Sequence, residues 1–472
     1  MTPRRALVIL FLLTLPLVTP KVRGADEIEY FSYLRSLAFD RDVDFTNEYT
    51  WFVTRDPQGL AGFRETFLER REAATGRPIN FASLGPALLW SPFYAVAHLL
   101  VWVARVLGSA VPADGFAWPY AAAAAYGSAV YGCLGLLLVH DALVKSGGFD
   151  ETASALAVGA LWVGTPVLYY LTLAPAFSHG CALFAVSLTV WLWLRAVRRK
   201  GGLADWMLVG LAGGLAGLVR EQDALYLVVP GAWVAWTAVR SGDIARGAAR
   251  LLAMGMTAAV VFVPQLFAYR ALNGRFGPST LVTRKMYPSS PHFLEVLADP
   301  GHGLFVWAPL LVIAAAGLVW RVFGNDVSAK RTVVDERGGA PPRRANDVSA
   351  VFLALGLLLQ VWINGAVDSW SQAGAFGSRR FVSATPVFAW GLAAVVAALL
   401  PRVRVAVVAA TLGVFVWWNV SLMVQFGLRL MDRQRLEWPR VAVNQVREVP
   451  PRLARVAWLF LTDRERLVRE GA

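Results

Sequence analysis

Residues 86–107 read Pro-Ala-Leu-Leu-Trp-Ser-Pro-Phe-Tyr-Ala-Val-Ala-His-Leu-Leu-Val-Trp-Val-Ala-Arg-Val-Leu. The run is apolar and close to the roughly 20 residues that a helix needs to cross a bilayer. It can span the membrane or lie in its surface, and the choice inverts every helix that follows. Comparable apolar runs lie at about 119–139, 152–172, 176–195, 203–219, 224–239 and 250–270, then at about 303–320, 350–366, 381–400 and 405–428.

The positive-inside rule favours the surface reading. If 86–107 does not span, the short basic loops Arg195 to Lys200, Arg240 to Arg250, Arg321 to Arg344 and Arg402 to Arg404 all fall on the cytoplasmic side. The cost is an Arg-rich tail, including Arg429, Arg433, Arg435, Arg440, Arg447 and Arg452, on the outside. Long tails weigh less than short loops under this rule. Near the N-terminus, Arg4 and Arg5 precede an apolar stretch from Ala6 to Thr19. Cleavage at Ala25 would put Arg23 where a signal peptide carries a small residue, so the stretch reads as a retained first helix. The expected fold is an all-α polytopic membrane protein of about eleven transmembrane helices, with a long first external loop at 21–118 containing membrane-surface helices.

Composition agrees. Of 472 residues 57% are hydrophobic and 16% charged, with 19 Trp, which is well beyond the ordinary globular range. The net charge of +13 suits anionic lipid surfaces and anionic substrates, and no nucleic-acid partner is expected. Cys133 and Cys181 sit in apolar runs, as packing residues do. No zinc-ligand spacing, Walker loop or dinucleotide fingerprint occurs.

Charge that has to be explained lies just past the first apolar stretch, in Gly24-Ala25-Asp26-Glu27-Ile28-Glu29-Tyr30. Carboxylates at the mouth of a membrane site can act as a base or hold a metal, while a solvated loop start is the plain alternative. With Gly76-Arg77-Pro78 and Gly85-Pro86-Ala87-Leu88-Leu89-Trp90, this stretch resembles the integral-membrane glycosyltransferases of the C-type fold, which include protein mannosyltransferases and aminoarabinose transferases. The likeness covers about the first 225 residues. It implies transfer of a sugar from a polyprenyl-phosphate carrier to a lipid, glycan or protein acceptor at the outer face of the cytoplasmic membrane. It also implies that Asp26 is the base or site organiser, with Glu27 second and Glu29 a helix-start charge. The chain would divide into an N-terminal glycosyltransferase module at 1–321, a disordered cytoplasmic linker at 322–349, C-terminal helices at 350–428 and a basic tail at 429–472.

A departing lipid phosphate needs fixed cations on the same face. Trp370-Ser371-Gln372-Ala373-Gly374-Ala375-Phe376-Gly377-Ser378-Arg379-Arg380-Phe381 resembles a Gly-Ser-Arg-containing external loop of bacterial sugar-transfer membrane proteins. Arg379 or Arg380 would hold the phosphate beside a helix starting at Phe381, or else anchor that helix at the interface. Arg284 and Lys285 in the preceding external loop are weaker candidates. His179 stands where family members carry a second acid, which puts a two-carboxylate or metal arrangement in doubt. His179 could contact substrate or be a satisfied interfacial residue. Arg220 opens the polar turn Arg220-Glu221-Gln222-Asp223, to be read as a substrate contact or as a self-neutralised turn. Gly210, Gly213, Gly214 and Gly217 before it suit close helix packing. No cofactor is required by any motif, and a divalent metal stays open. A transporter or flippase for lipid-linked sugars is the alternative function; it would place ionisable residues near mid-helix, where the runs have almost none.

Overall fold

A computed structural model describes residues 2–324, 348–372, 374–464 and 466–467. The greater part of the expected linker at 322–349 lies outside the described residues. Among them there is no strand, only two isolated bridges, Arg71 with Pro78 and Met286 with Val367. The long elements are α1 (Pro3–Thr14), α2 (Ala25–Arg35), α3 (Thr46–Arg55), α4 (Gly85–Val106), α5 (Trp118–Lys145), α6 (Glu151–Val163), α7 (His179–Arg198) and α8 (Leu203–Val219). They continue with α9 (Val228–Ser241), α10 (Ile244–Asn273), α11 (Leu310–Phe323), α12 (Val348–Gly365), α13 (Thr385–Leu399), α14 (Val405–Gly427), α15 (Trp438–Arg447) and α16 (Val449–Thr462).

Among the described residues seven helices are long and apolar enough to cross a membrane: α4, α5, α7, α10, α12, α14, and α13 together with the turn before it. Shorter apolar helices, α6, α8 and α11, pack among them. This is a multi-pass membrane protein. Residues 86–107 form one continuous helix that meets the length and apolarity of a span. It pairs antiparallel with the first half of α5, Trp90 Nε1 donating to Ser128 Oγ at 2.8 Å and His98 Nδ1 lying 2.8 Å from the Tyr120 hydroxyl. Beyond Ser128, α5 runs parallel to α7, where Trp191 Nε1 donates to Asp141 Oδ2 at 2.7 Å.

The apolar run at 152–172 is not one helix. It breaks after Val163 and resumes at Val167–Thr172. Pro166 lacks an amide hydrogen, so carbonyls before it lose their helical partner. Asn419 on α14 reaches across and donates Nδ2 to Val163 O at 2.8 Å and Thr165 O at 2.9 Å. Irregular backbone at membrane depth persists where protein supplies such a partner.

Small residues set how closely helices approach. A Cβ at Gly210 would lie 2.2 Å from Met254 O, and one at Gly214 would lie 2.7 Å from Ala258 O, so α8 and α10 touch along the glycine run. The packing reading of these glycines holds. Likewise, a Cβ at Gly391 would lie 1.9 Å from Ala314 O, which fixes α13 against α11.

The segment between α1 and α5 folds on aromatic contacts, including Tyr33 with Phe45 at 4.9 Å and Trp51 stacked on Phe116 at 4.6 Å. Arg35 binds Glu48 at 2.9 Å, pairs with Asp40 and lies over the Phe116 ring. The basic tail folds too. Leu436 N donates to Pro300 O and Gly374 N donates to Gln434 Oε1 at 2.9 Å, which puts the tail at the same end as the 366–380 loop. Arg464 closes the chain onto its beginning, donating to Val18 O at 2.9 Å and Pro16 O at 2.7 Å.

Candidate active site

Helix α2 begins at Ala25 because Glu27, three residues past the Gly24 cap, folds its carboxylate back. Glu27 Oε2 accepts from Arg23 N at 2.7 Å and Gly24 N at 2.8 Å, satisfying amides that a helix start leaves open. Glu27 is buried, and burial pushes its carboxyl up to about 7 against the pull of those two amides. Its carboxylate caps the helix, so the second-choice catalytic candidate occupies a structural position.

Asp26, one residue earlier, points outward. It lines an open cleft of about 730 Å³ and pairs with Arg379 at 3.0 Å. Arg379 also lies over the Phe177 ring, 5.0 Å from its centre. The loop that delivers Arg379 turns at Gly377, where φ is +61° and a Cβ would lie 2.7 Å from Pro166 Cγ. A side chain there is excluded both by backbone and by space.

Arg380 lines the same cleft, its Nη2 donating to Ser369 Oγ at 3.1 Å and its backbone N to Gln372 Oε1 at 3.2 Å. Its Nη1 is buried without a protein partner. The α-helix expected from Phe381 begins instead at Thr385, after a 3-10 turn at Arg379–Ala384. Its buried N-terminus sits a turn below the arginines, which leaves anion binding at the cleft to side chains.

Arg220 ends α8 and faces the cleft. It is not neutralised within its own turn: Nη1 donates to His179 Nδ1 at 3.0 Å and Ser178 Oγ at 3.3 Å, and Nη2 to Gln222 Oε1 at 3.3 Å. An arginine can only donate, so Nδ1 of His179 accepts and its proton sits on Nε2. His179 is buried between Phe177 and Tyr170 and lies behind Arg220, outside the cleft lining. Arg220 Nε is buried without a partner. Asp223 turns away into the core and accepts from Ser383 Oγ at 2.9 Å, while Glu221 is exposed at the cleft.

Lys285 lines the cleft and Arg284 does not. The 285–286 segment is fastened to the opposite loop, Asp368 N donating to Lys285 O at 3.0 Å. Among the described residues no group of three or more His, Cys, Asp or Glu converges as metal ligands.

Glu29, expected as a helix-start charge, is a cleft residue instead. It lies one turn beyond Asp26 on the same helix face, buried, with Oε1 accepting from Phe81 N at 2.5 Å. Burial first, then the Asp26 charge, holds its carboxyl well above the ordinary range. Its spacing of three from Asp26 was the available signal. Asn80, Phe81 and Ser83 also line the cleft, and nothing in their composition marked them out.

No family model matches the chain, and no curated protein matches it. It is similar to the crystal structure of ArnT from Cupriavidus metallidurans bound to undecaprenyl phosphate, with 14% identity over 99% of this chain and 76% of that chain and a TM-score of 0.47. The apo state of the same protein gives 14% identity, 99% and 74% coverage and a TM-score of 0.46. ArnT is an integral-membrane aminoarabinose transferase of the C-type fold, the family that residues 24–30 and 76–90 resemble. At this identity and TM-score the likeness assigns no residue a role.

Proposed function

We propose that the protein is a membrane glycosyltransferase that moves a sugar from a polyprenyl-phosphate carrier to a lipid, glycan or protein acceptor, with its cleft at the outer face of the cytoplasmic membrane. One observation carries this reading: among the described residues Arg220 Nε and Arg380 Nη1 are buried without partners beside a cleft in which Arg379 holds a carboxylate. A buried donor left unsatisfied costs about 1–3 kcal/mol, and more on a charged group. A phosphate, with several acceptor oxygens, would satisfy both guanidiniums at once. Leu225, Met286, Trp362 and Ile363 line the cleft beside them and suit an apolar carrier chain.

In the reaction, the acceptor oxygen attacks the anomeric carbon as the bond from that carbon to the phosphate oxygen breaks. The acceptor proton passes to Asp26, and the electron pair of the broken bond leaves on the phosphate. Arg220 and Arg380 stabilise that growing charge. Arg379 aims the Asp26 carboxylate through their 3.0 Å pair, and His179 positions Arg220 from behind. Lys285 is the remaining cleft cation available to the phosphate, and Arg284 has no part in this scheme.

Transfer of labelled sugar by purified protein from a polyprenyl-phosphate donor tests the proposal. Transfer that disappears in Arg380→Ala with folding intact supports it. Polyprenyl phosphate that neither binds nor competes would overturn it. The transporter or flippase reading gains no support, since the cleft charges meet at helix ends on one side.

A further inference from the structure

The cleft has two unlike ends. The cations gather at one: Arg380 binds Ser369, Gln222 bridges Arg220 to Arg380 by donating to Arg380 O at 3.4 Å, and Lys285 is tied through its carbonyl to Asp368. The other end is built from Glu29, the 80–83 segment and Phe67. Here Asn80 Nδ2 donates to Glu29 O at 3.2 Å, and Phe67 stands edge-on to Phe81 at 5.5 Å. Among the described residues this end contributes no cation to the cleft lining. Arg77, three residues before Asn80 in the chain, is engaged elsewhere, donating to Ala271 O.

We infer that the end of the cleft formed by Glu29, Asn80, Ser83, Phe67 and Phe81 is the acceptor subsite, and that it takes a neutral saccharide through its hydroxyls rather than a phosphorylated acceptor. The inference rests on the transferase reading above and narrows its acceptor. Asp26 lies between the two ends, where a base must stand to take a proton from one substrate as the other departs. A phosphate monoester brought to the cation-free end would lose water without gaining a counter-charge, and it would face Asp26. A saccharide suits the same surface, because amide and hydroxyl side chains pair with sugar hydroxyls and aromatic rings cover the apolar sugar face. Burial keeps Glu29 protonated well above the ordinary carboxylate range, so it meets a ligand as a neutral acid able to donate. The Tyr269 hydroxyl, buried without a partner on α10, adds a second group of the same kind.

The test uses the full chain in nanodiscs that contain polyprenyl phosphate. Saturation-transfer NMR compares a panel of short neutral oligosaccharides with the same oligosaccharides carrying one phosphate monoester. The expected result is binding of at least one neutral member, not displaced by its phosphorylated counterpart. Phe81→Leu and Phe67→Leu should weaken it about three- to tenfold, as loss of an aromatic contact does. Equal or tighter binding of the phosphorylated series, binding of neither series, or indifference to both Phe substitutions would overturn the inference. Polyprenyl phosphate binding, measured separately with the wild type and Arg380→Ala, reports on the transferase reading alone, so the two failures are distinguishable.

Discussion

Two adjacent carboxylates, Asp26 and Glu27, should fail in opposite ways when altered. Glu27→Ala removes the acceptor of two backbone amides, and orphaning each buried amide costs about 1–3 kcal/mol. Arg23 is exposed, so its amide can be rehydrated, and the expected loss is that of the Gly24 amide, about 1–3 kcal/mol. At about 1 °C per kcal/mol for a chain of 472 residues, Tm should fall by about 1–3 °C. Glu27→Gln keeps an oxygen for the amides and removes only the titration. The folded Glu27 carboxyl is raised to about 7 from 4.5, so the folded state holds its proton to higher pH than the unfolded chain. Its contribution is therefore complete below about pH 4.5 and lost as pH rises through about 7, a change of about 3 kcal/mol at about 1.36 kcal/mol per pH unit. Glu29 and Glu48 are raised as well, so the informative quantity is the difference between wild type and Glu27→Gln. Scanning fluorimetry from pH 5 to 8 should give a shallower decline for Glu27→Gln, with sugar transfer retained. Asp26→Asn should leave Tm nearly unchanged and reduce transfer about a hundredfold to ten-thousandfold, the usual effect of losing a base. If Glu27→Gln instead abolishes transfer at unchanged Tm while Asp26→Asn turns over normally, the base is Glu27 and the capping account fails.

Arg380→Ala should raise donor KM about 10- to 150-fold with acceptor KM little changed, as loss of a charge-assisted bond of about 1.5–3 kcal/mol requires, and Arg380→Lys should restore part of it; separate titration of donor and acceptor decides. Cysteines placed at Leu99, Leu100 and Val106, all exposed apolar positions of α4, should react with lipid-soluble rather than water-soluble thiol reagents, and aqueous labelling at all three would remove α4 from the bilayer altogether. A cysteine at Lys200 should be reached only after the membrane is permeabilised, whereas one at Asp299, in the loop that receives the tail, should be labelled from outside; the reverse pattern would invert the proposed orientation.

Hydropathy located most of the long helices because lipid demands long apolar runs, and the runs at 350–366, 381–400 and 405–428 differ from the helices by no more than four residues at either end. It missed the break at 164–166, since Asn419 repairs that break from more than 250 residues away. The carboxylates of residues 24–30 were visible as charge out of place, but their assignment needed the fold. Glu27 and Glu29 exchange the roles expected of them because capping geometry binds the residue three past the cap, while helical spacing returns Glu29 to the face of Asp26. Arg379 and Arg380 were legible from adjacency. His179 was legible as polar and misplaced as a contact, since only the structure sets it behind Arg220.

The grip of Arg464 on Pro16 and Val18 joins positions 446 residues apart in the Val18 case. At about 5–20 residues per second, a ribosome needs roughly 20–90 s to make the chain between them. Throughout that interval the Pro16 and Val18 carbonyls lack Arg464 and are held by water or lipid headgroups. Completion of the bundle is therefore a late event in biosynthesis, and a change at Arg464 would first register as slow maturation and early degradation, before any effect on the finished protein.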